Sequence, residues 1–177
     1  MRYILVDDGS ADQSAEIICR HIASGVPVVL HRLSRRFGQQ SAVSAGFEKA
    51  DADVVACIDA DLQDPPEVIF EMISKWRQGY DVVYGRRLKR KENFFKVAGY
   101  WMFYRLLALL ADIDIPLDSG DFALVDQKVA QAMRSMPEKN RFHRVLRAWV
   151  GFRHIGVLYE RAARAAGTPK YNIRKLY

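Results

Sequence analysis

Two apolar runs in this chain stop abruptly on aspartates, and that pattern narrows the possible folds more than any other feature. Tyr3-Ile4-Leu5-Val6 gives way to Asp7-Asp8-Gly9-Ser10, and the run 53–58 gives way to Asp59-Ala60-Asp61-Leu62-Gln63-Asp64-Pro65-Pro66-Glu67. A short apolar run closed by polar residues and glycine reads as a buried strand. Further strands are expected over 27–31 and 81–84, and helices over 12–23 and 39–50. Pro65-Pro66 can open the next helix, since proline is tolerated in a first turn, with Asp64 as cap and Glu67 and Glu71 near its positive end. Strands alternating with helices imply crossover units, so the expected class is α/β, an open and mostly parallel sheet with helices on both faces. Ligands of such sheets collect at the carboxyl ends of the strands, where both aspartate clusters fall.

With 177 residues, half of them apolar, the chain can bury one core, and residues 1–177 are expected to form a single domain. Cys19 and Cys57 sit inside apolar runs far apart, which suggests buried, reduced thiols and a reducing compartment. The longest apolar stretch, 94–111, is interrupted by Lys96 and Arg105, so no span of a bilayer is expected and membrane contact should be peripheral. Its first part, 94–107, lacks acids and mixes aromatics with two cations, a composition suited to a helix lying in the membrane interface; a buried core helix is the alternative. The formal charge is +6, and residues 141–177 carry nine Lys or Arg against one acid, Glu160. That end of the chain calls for an anionic partner, a lipid surface or a phosphorylated small molecule. No nucleic-acid motif accompanies the charge, so nucleic acid is not expected.

The second aspartate cluster carries the chemistry. Asp59 and Asp61 are two apart, so on an extended backbone they point the same way, and Gln63 adds a third oxygen on that side. Hard oxygen donors on one face suit Mg²⁺ or Mn²⁺.

Taken with Val6-Asp7-Asp8-Gly9-Ser10, the string 59–67 resembles the two signature segments of family 2 glycosyltransferases of the GT-A fold, the nucleotide-diphospho-sugar transferase type. The likeness covers essentially the whole chain. Arg35-Arg36-Phe37-Gly38 with Ala42 and Ala45-Gly46 is similar to the family's second-strand exit, Tyr84-Gly85-Arg86-Arg87 to its G-x-R element, and Ser119-Gly120-Asp121-Phe122 to its G-D-F segment. Arg161-Ala162-Ala163-Arg164, Gly167, Lys170-Tyr171 and Arg174-Lys175 resemble the end of the catalytic region in bactoprenol glucosyltransferases and dolichyl-phosphate mannose synthases.

That resemblance implies an inverting hexosyltransferase, working at the cytoplasmic face of a membrane. It would move a sugar from a nucleotide diphosphate, UDP-glucose first and GDP-mannose second, to a polyprenyl phosphate. By the same resemblance Asp7, with Asp8, would bind the nucleotide base, since a carboxylate accepts from a base N–H. Asp61 and Gln63 would hold the divalent ion, with Asp59 beside the donor and reaching the metal through water. Arg87 and Arg90 would contact the acceptor phosphate, and Arg161 and Lys170 the donor diphosphate, because arginine forks match phosphate oxygens. Asp121 would orient the acceptor or an arginine; in a relative with a hydroxyl acceptor it would instead be the base.

The sequence departs from the family pattern in three places. The strand that usually precedes residues 3–6, ending in a P-x-Y-N-E type turn, is not present, so an exposed sheet edge or a swapped partner is expected, and with it a homo-oligomer. Ala123 and Arg36 replace a common arginine and asparagine. A degenerate, non-catalytic relative is therefore the reading from a different class.

Overall fold

The structure is a computed structural model that describes residues 1–88, 119–138 and 141–162. Eleven elements follow one another: β1 (Tyr3–Asp7), α1 (Ser14–Ala23), β2 (Val28–Arg32), α2 (Gln39–Lys49), β3 (Val54–Cys57), α3 (Val68–Arg77), β4 (Val82–Arg87), β5 (Ser119–Asp126), α4 (Gln127–Ser135), α5 (His143–Trp149) and β6 (His154–Tyr159). The four strands and three helices expected up to residue 87 all form, within a few residues of the expected ends. The α/β class with open sheets is the one read from the sequence.

The strands form two sheets. β1 and β2 pair in parallel, with Tyr3 opposite Val28 and Asp7 opposite Arg32. The larger sheet has the order β3-β5-β4-β6. In it β5 runs antiparallel to both neighbours, and β6 parallel to β4. Half of the strand pairings are thus antiparallel, more than the alternation of elements implies, because β5 inserts between β3 and β4. Among the described residues β1 and β3 are each paired along one edge.

Alternation along β4 and β5 divides the core between the two faces of the larger sheet. Val82 and Val125 pack with Phe47 of α2, Val129, Ala130 and Met133 of α4, and Leu146 of α5. Val83, Leu124 and Phe122 point the other way, onto Met72 of α3 and onto Val157 and Tyr159 of β6. The four residues contributed by β4, β5 and α3 to this second face, Val83, Phe122, Leu124 and Met72, are at most 2 % exposed, and each such aliphatic or aromatic side chain contributes roughly 1.5–3 kcal/mol by burial.

α2 connects the two sheets. It packs against β1, where a methyl group on Gly46 would lie 3.5 Å from Val6, and its Val43 and Phe47 enter the core beside Val55 and Cys57. Tyr3 and Leu5, on the face of β1 opposite Val6, stay exposed.

Three expectations need correction. Cys19 is exposed on α1 rather than buried, because it falls on the outer side of an amphipathic helix. Asp64 does not cap the helix after Pro65-Pro66; that helix begins at Val68 with no side-chain cap, and the Asp64 carboxylate turns inward. The backbone beyond β3 does not continue as a strand either: β3 ends at Cys57, residues 60–61 form a turn and Leu62 follows with a left-handed φ of 58°, so the two-residue spacing of Asp59 and Asp61 does not place them on one strand face. The stretch 94–107 lies outside the described residues.

Candidate functional site

The acid-rich turn 59–64 leaves the carboxyl end of β3, and β5 brings a fourth carboxylate to it. The last β3–β5 pair is Cys57 with Ala123, so Asp59 and Asp121 are the residues two places further along each strand. The start of α2 holds both. Gln39 Nε2 donates to Asp59 Oδ1 at 2.9 Å, and Gln40 Nε2 donates to Asp121 Oδ2 at 2.9 Å. Two adjacent glutamines therefore fix two carboxylates that lie 62 residues apart in sequence.

Behind Asp121 the packing is dense and polar. Gln40 Oε1 also accepts from the His143 N–H, and His143 Nε2 meets Ser44 Oγ at 2.7 Å while its ring stacks on Phe47. Burial pushes the His143 imidazole below its ordinary value, which favours the neutral ring. Arg147, also buried, donates to the Gly120 carbonyl at 3.1 Å, next door to Asp121. Cys57 lies between these groups, and its thiol is pushed up to about 12 by burial first and then by Asp121 and Asp59, so it stays protonated and inert.

On the other side of the turn, the chain leaving β6 supplies a cation, Arg161. Arg161 Nε lies 3.5 Å from Asp64 Oδ1, and its Nη2 lies 4.0 Å from Asp61 Oδ2. The backbone beyond β6 is tied to the same turn, with Ala162 N–H donating to the Gln63 carbonyl and Gln63 Nε2 donating to the Ala162 carbonyl. Tyr159 Oη donates to Asp64 at 2.6 Å and accepts from Arg87 Nε at 3.3 Å. Glycine at 85 is what lets this ring in: a Cβ there would lie 2.7 Å from the Tyr159 ring and 2.8 Å from Phe122. Gly120 similarly leaves room for the Arg87 guanidinium.

Asp7 and Asp8 belong to the smaller sheet. Asp7 is 6 % exposed; its Oδ1 accepts from the Ser10 N–H, and its Oδ2 lies 3.3 Å from Arg32 Nε but is buried without a hydrogen bond. The bonds from Ser10 hold its carboxyl below the ordinary value, so it is charged and has an oxygen to offer a donor. Asp8 is spent on the backbone, accepting from the Phe37 and Gly38 N–H groups at 2.7 and 3.0 Å. It thereby fixes the entry to α2, directly before Gln39 and Gln40. At Gly9, φ is 65° and a Cβ would lie 2.7 Å from the Arg35 carbonyl carbon, so the turn closes on that loop as glycine alone allows.

Of the residues read from the sequence, Asp59, Asp61, Gln63, Asp121, Arg87 and Arg161 come together, while Asp7 and Asp8 lie at the end of β1 in the smaller sheet, Asp8 against the start of α2. Arg90 and Lys170 lie outside the described residues. The sequence reading missed Gln39, Gln40, Tyr159 and the inward role of Asp64. An amide pair at a helix start carries no signal of what it will meet, since its partners come from other strands.

Among the described residues no three His, Cys, Asp or Glu groups are arranged to hold a metal ion. The donor chemistry nevertheless fits a divalent cation. The Asp59 carboxyl is held above its ordinary value by burial and by the charges of Asp64 and Asp61, a repulsion that a bound cation would relieve.

Residues 1–134 match Glycosyl transferase family 2. The chain is 50 % identical over 98 % of its length to the uncharacterized glycosyltransferase YkcC of Bacillus subtilis, covering 54 % of that protein. It is 36 % identical, again over 98 % of its length, to a prophage bactoprenol glucosyl transferase homolog of Escherichia coli, covering 57 % of it. The chain thus spans about half the length of these curated relatives. Among solved structures it is similar to the mannosyltransferase PcManGT of Pyrobaculum calidifontis in complex with GDP-Man and Mn²⁺, with a TM-score of 0.58, 19 % identity, and coverage of 89 % of this chain and 45 % of that one. At that identity the likeness speaks for the fold, which is that of GT-A glycosyltransferases.

Proposed function

We propose, from the premise that this chain belongs to glycosyl transferase family 2, that it is the catalytic part of an inverting polyprenyl-phosphate hexosyltransferase. It transfers glucose from UDP-glucose, at the cytoplasmic face of a membrane. One observation carries the reading: the turn 59–64, Asp121 and the two arginines Arg87 and Arg161 converge at one end of the larger sheet. The relatives named as bactoprenol glucosyl transferases support the acceptor and the sugar.

In this reading Asp7 accepts from the nucleotide base through its unbonded Oδ2. Asp61 and Gln63, with Asp59 beside them, hold Mg²⁺ or Mn²⁺, which when bound neutralises the departing diphosphate. Arg161 lies on the diphosphate side and Arg87 on the acceptor side. A phosphate monoester has its second pKa at about 6, so at neutral pH the acceptor is already a nucleophile and needs no base. An acceptor oxygen attacks the anomeric carbon as the bond to the diphosphate breaks, in one displacement with inversion. The arginines orient both phosphates while charge develops on sugar and leaving group. Asp121, held by Gln40, positions the acceptor. None of the helices of the described residues is long and apolar enough to cross a membrane.

A second reading rests on Asp121 itself. A carboxylate oriented by Gln40 and flanked by buried Arg147 is also suitably placed to take a proton from a hydroxyl acceptor. A rate that falls as a carboxyl protonates in the Asp121 variant's absence, and not in Asp121→Asn, would favour that reading.

The first test is calorimetric titration of UDP and GDP into the protein with and without Mn²⁺, comparing wild type with Asp61→Ala. Metal-dependent binding that disappears in the variant is the expected result. Binding of neither nucleotide by wild type would leave a non-catalytic relative as the surviving interpretation.

A further inference from the structure

Asp64 is the most buried carboxylate in the site, at 2 % exposure, and the mechanism above gives it nothing to do. Its Oδ1 faces two groups from one end of β6: the Tyr159 hydroxyl at 2.6 Å and Arg161 Nε at 3.5 Å. The same hydroxyl accepts from Arg87 Nε at the end of β4, at 3.3 Å. One carboxylate therefore anchors Arg161 directly and Arg87 through a single intervening oxygen. Arg161 is held by charge at a distance rather than by a fixed fork, since its Nε is buried without a hydrogen bond. The rest of its guanidinium extends toward Asp61 Oδ2, 4.0 Å away.

We propose that Asp64 is a positioning residue of the transfer site, which sets Arg161 against the donor diphosphate and, through Tyr159, Arg87 against the acceptor phosphate. The inference rests on the function proposed above. Physically, two long cationic side chains would otherwise lose rotamer freedom on meeting a phosphate, and a buried carboxylate removes that loss beforehand. The carboxylate must be buried for this: a solvated one would bind arginine too weakly to fix it. Asp64 also tethers β4 and β6 to the turn that carries Asp61, so both phosphate contacts keep register with the acidic turn. Tyr159 is suited to the relay because its hydroxyl donates to Asp64 while accepting from Arg87. Burial and the bond to Asp64 push that phenol above its ordinary value, so it keeps the proton it donates.

The test uses the full-length protein and the diphosphate that wild type binds, UDP or GDP, with its nucleoside as a probe that lacks the phosphates. Asp64→Asn should weaken the nucleoside diphosphate by at least about tenfold. It should leave the nucleoside's affinity and that of Mn²⁺ alone unchanged, and it should have no further effect in an Arg161→Ala background. Tyr159→Phe keeps the ring that meets Phe122 edge-on and removes the hydroxyl. It should raise the KM for undecaprenyl phosphate several-fold at unchanged kcat, with the donor's affinity retained. Equal loss of nucleoside and diphosphate in Asp64→Asn would show a merely structural residue, and loss of Mn²⁺ alone would show a metal ligand; either overturns the inference, as would additive effects with Arg161→Ala or a Tyr159→Phe enzyme with wild-type KM. If wild type binds neither nucleotide, the proposed function itself fails, a result these variants cannot imitate.

Discussion

The two sheets of this molecule are built to different standards. In the four-stranded sheet Val82, Val83, Leu124, Val125 and Val157 are almost wholly buried, with helices on both faces. In the two-stranded sheet the buried residue is a charged one, Asp7, while Tyr3 and Leu5 face solvent. The carboxylates and arginines of the candidate transfer site grow from the first sheet, and the candidate base contact from the second. Rigid packing is where phosphates must be aligned to fractions of an ångström; a base contact through one carboxylate tolerates more movement.

The largest break in that contrast should come from core deletion. Phe122→Ala empties space between Met72, Gly85 and Tyr159 and should cost about 3–5 kcal/mol in denaturant unfolding. Leu5→Ala, on the open face of β1, should cost well under about 1 kcal/mol. Equal losses would mean that the two sheets are equally packed.

A smaller and pH-dependent effect sharpens the comparison at the start of β4, an interior strand of the larger sheet. The Asp81 carboxylate takes Lys128 Nζ at 2.6 Å and the Arg153 N–H at 3.1 Å. Burial raises its carboxyl, but the Lys128 and Arg153 interactions outweigh that and hold it below the ordinary carboxylate value. A depressed carboxyl contributes stability above its unfolded value and loses it as the pH falls through the folded one. Asp81→Asn should therefore lower Tm by on the order of a few °C at pH 7. Melting curves of variant and wild type should converge as the pH falls through the folded-state value, below the ordinary carboxylate range.

The smallest effect is a difference in reactivity that changes no stability. A thiol reagent at pH 8 should label exposed Cys19 in the native protein and spare Cys57, whose thiol is pushed up to about 12, until denaturant is added. Mass spectrometry of the labelled peptides reads both sites.

The order of elements through β4 was legible because hydrophobic period and strand-ending acids are local signals. β5 and β6 were less so: Ser119-Gly120-Asp121-Phe122 stood out as a motif, yet nothing in it says that the strand inserts antiparallel between β3 and β4. The acidic turn was visible as a string, whereas its shape was not: the strand stops at Cys57 and the chain turns at 60–61 before a left-handed Leu62, and the spacing of the carboxylates does not announce that turn.

What the sequence by itself determined is the chemistry on offer: four carboxylates and several arginines at strand ends, hard oxygen donors, and a core large enough to fix them. The tertiary structure decided which of these meet. Asp64 became an anchor rather than a helix cap, Asp8 a backbone clamp, and Gln39 and Gln40 the holders of Asp59 and Asp121. Such pairings join residues 20 to 95 positions apart, and they follow from strand order and register, which no local pattern of residues encodes.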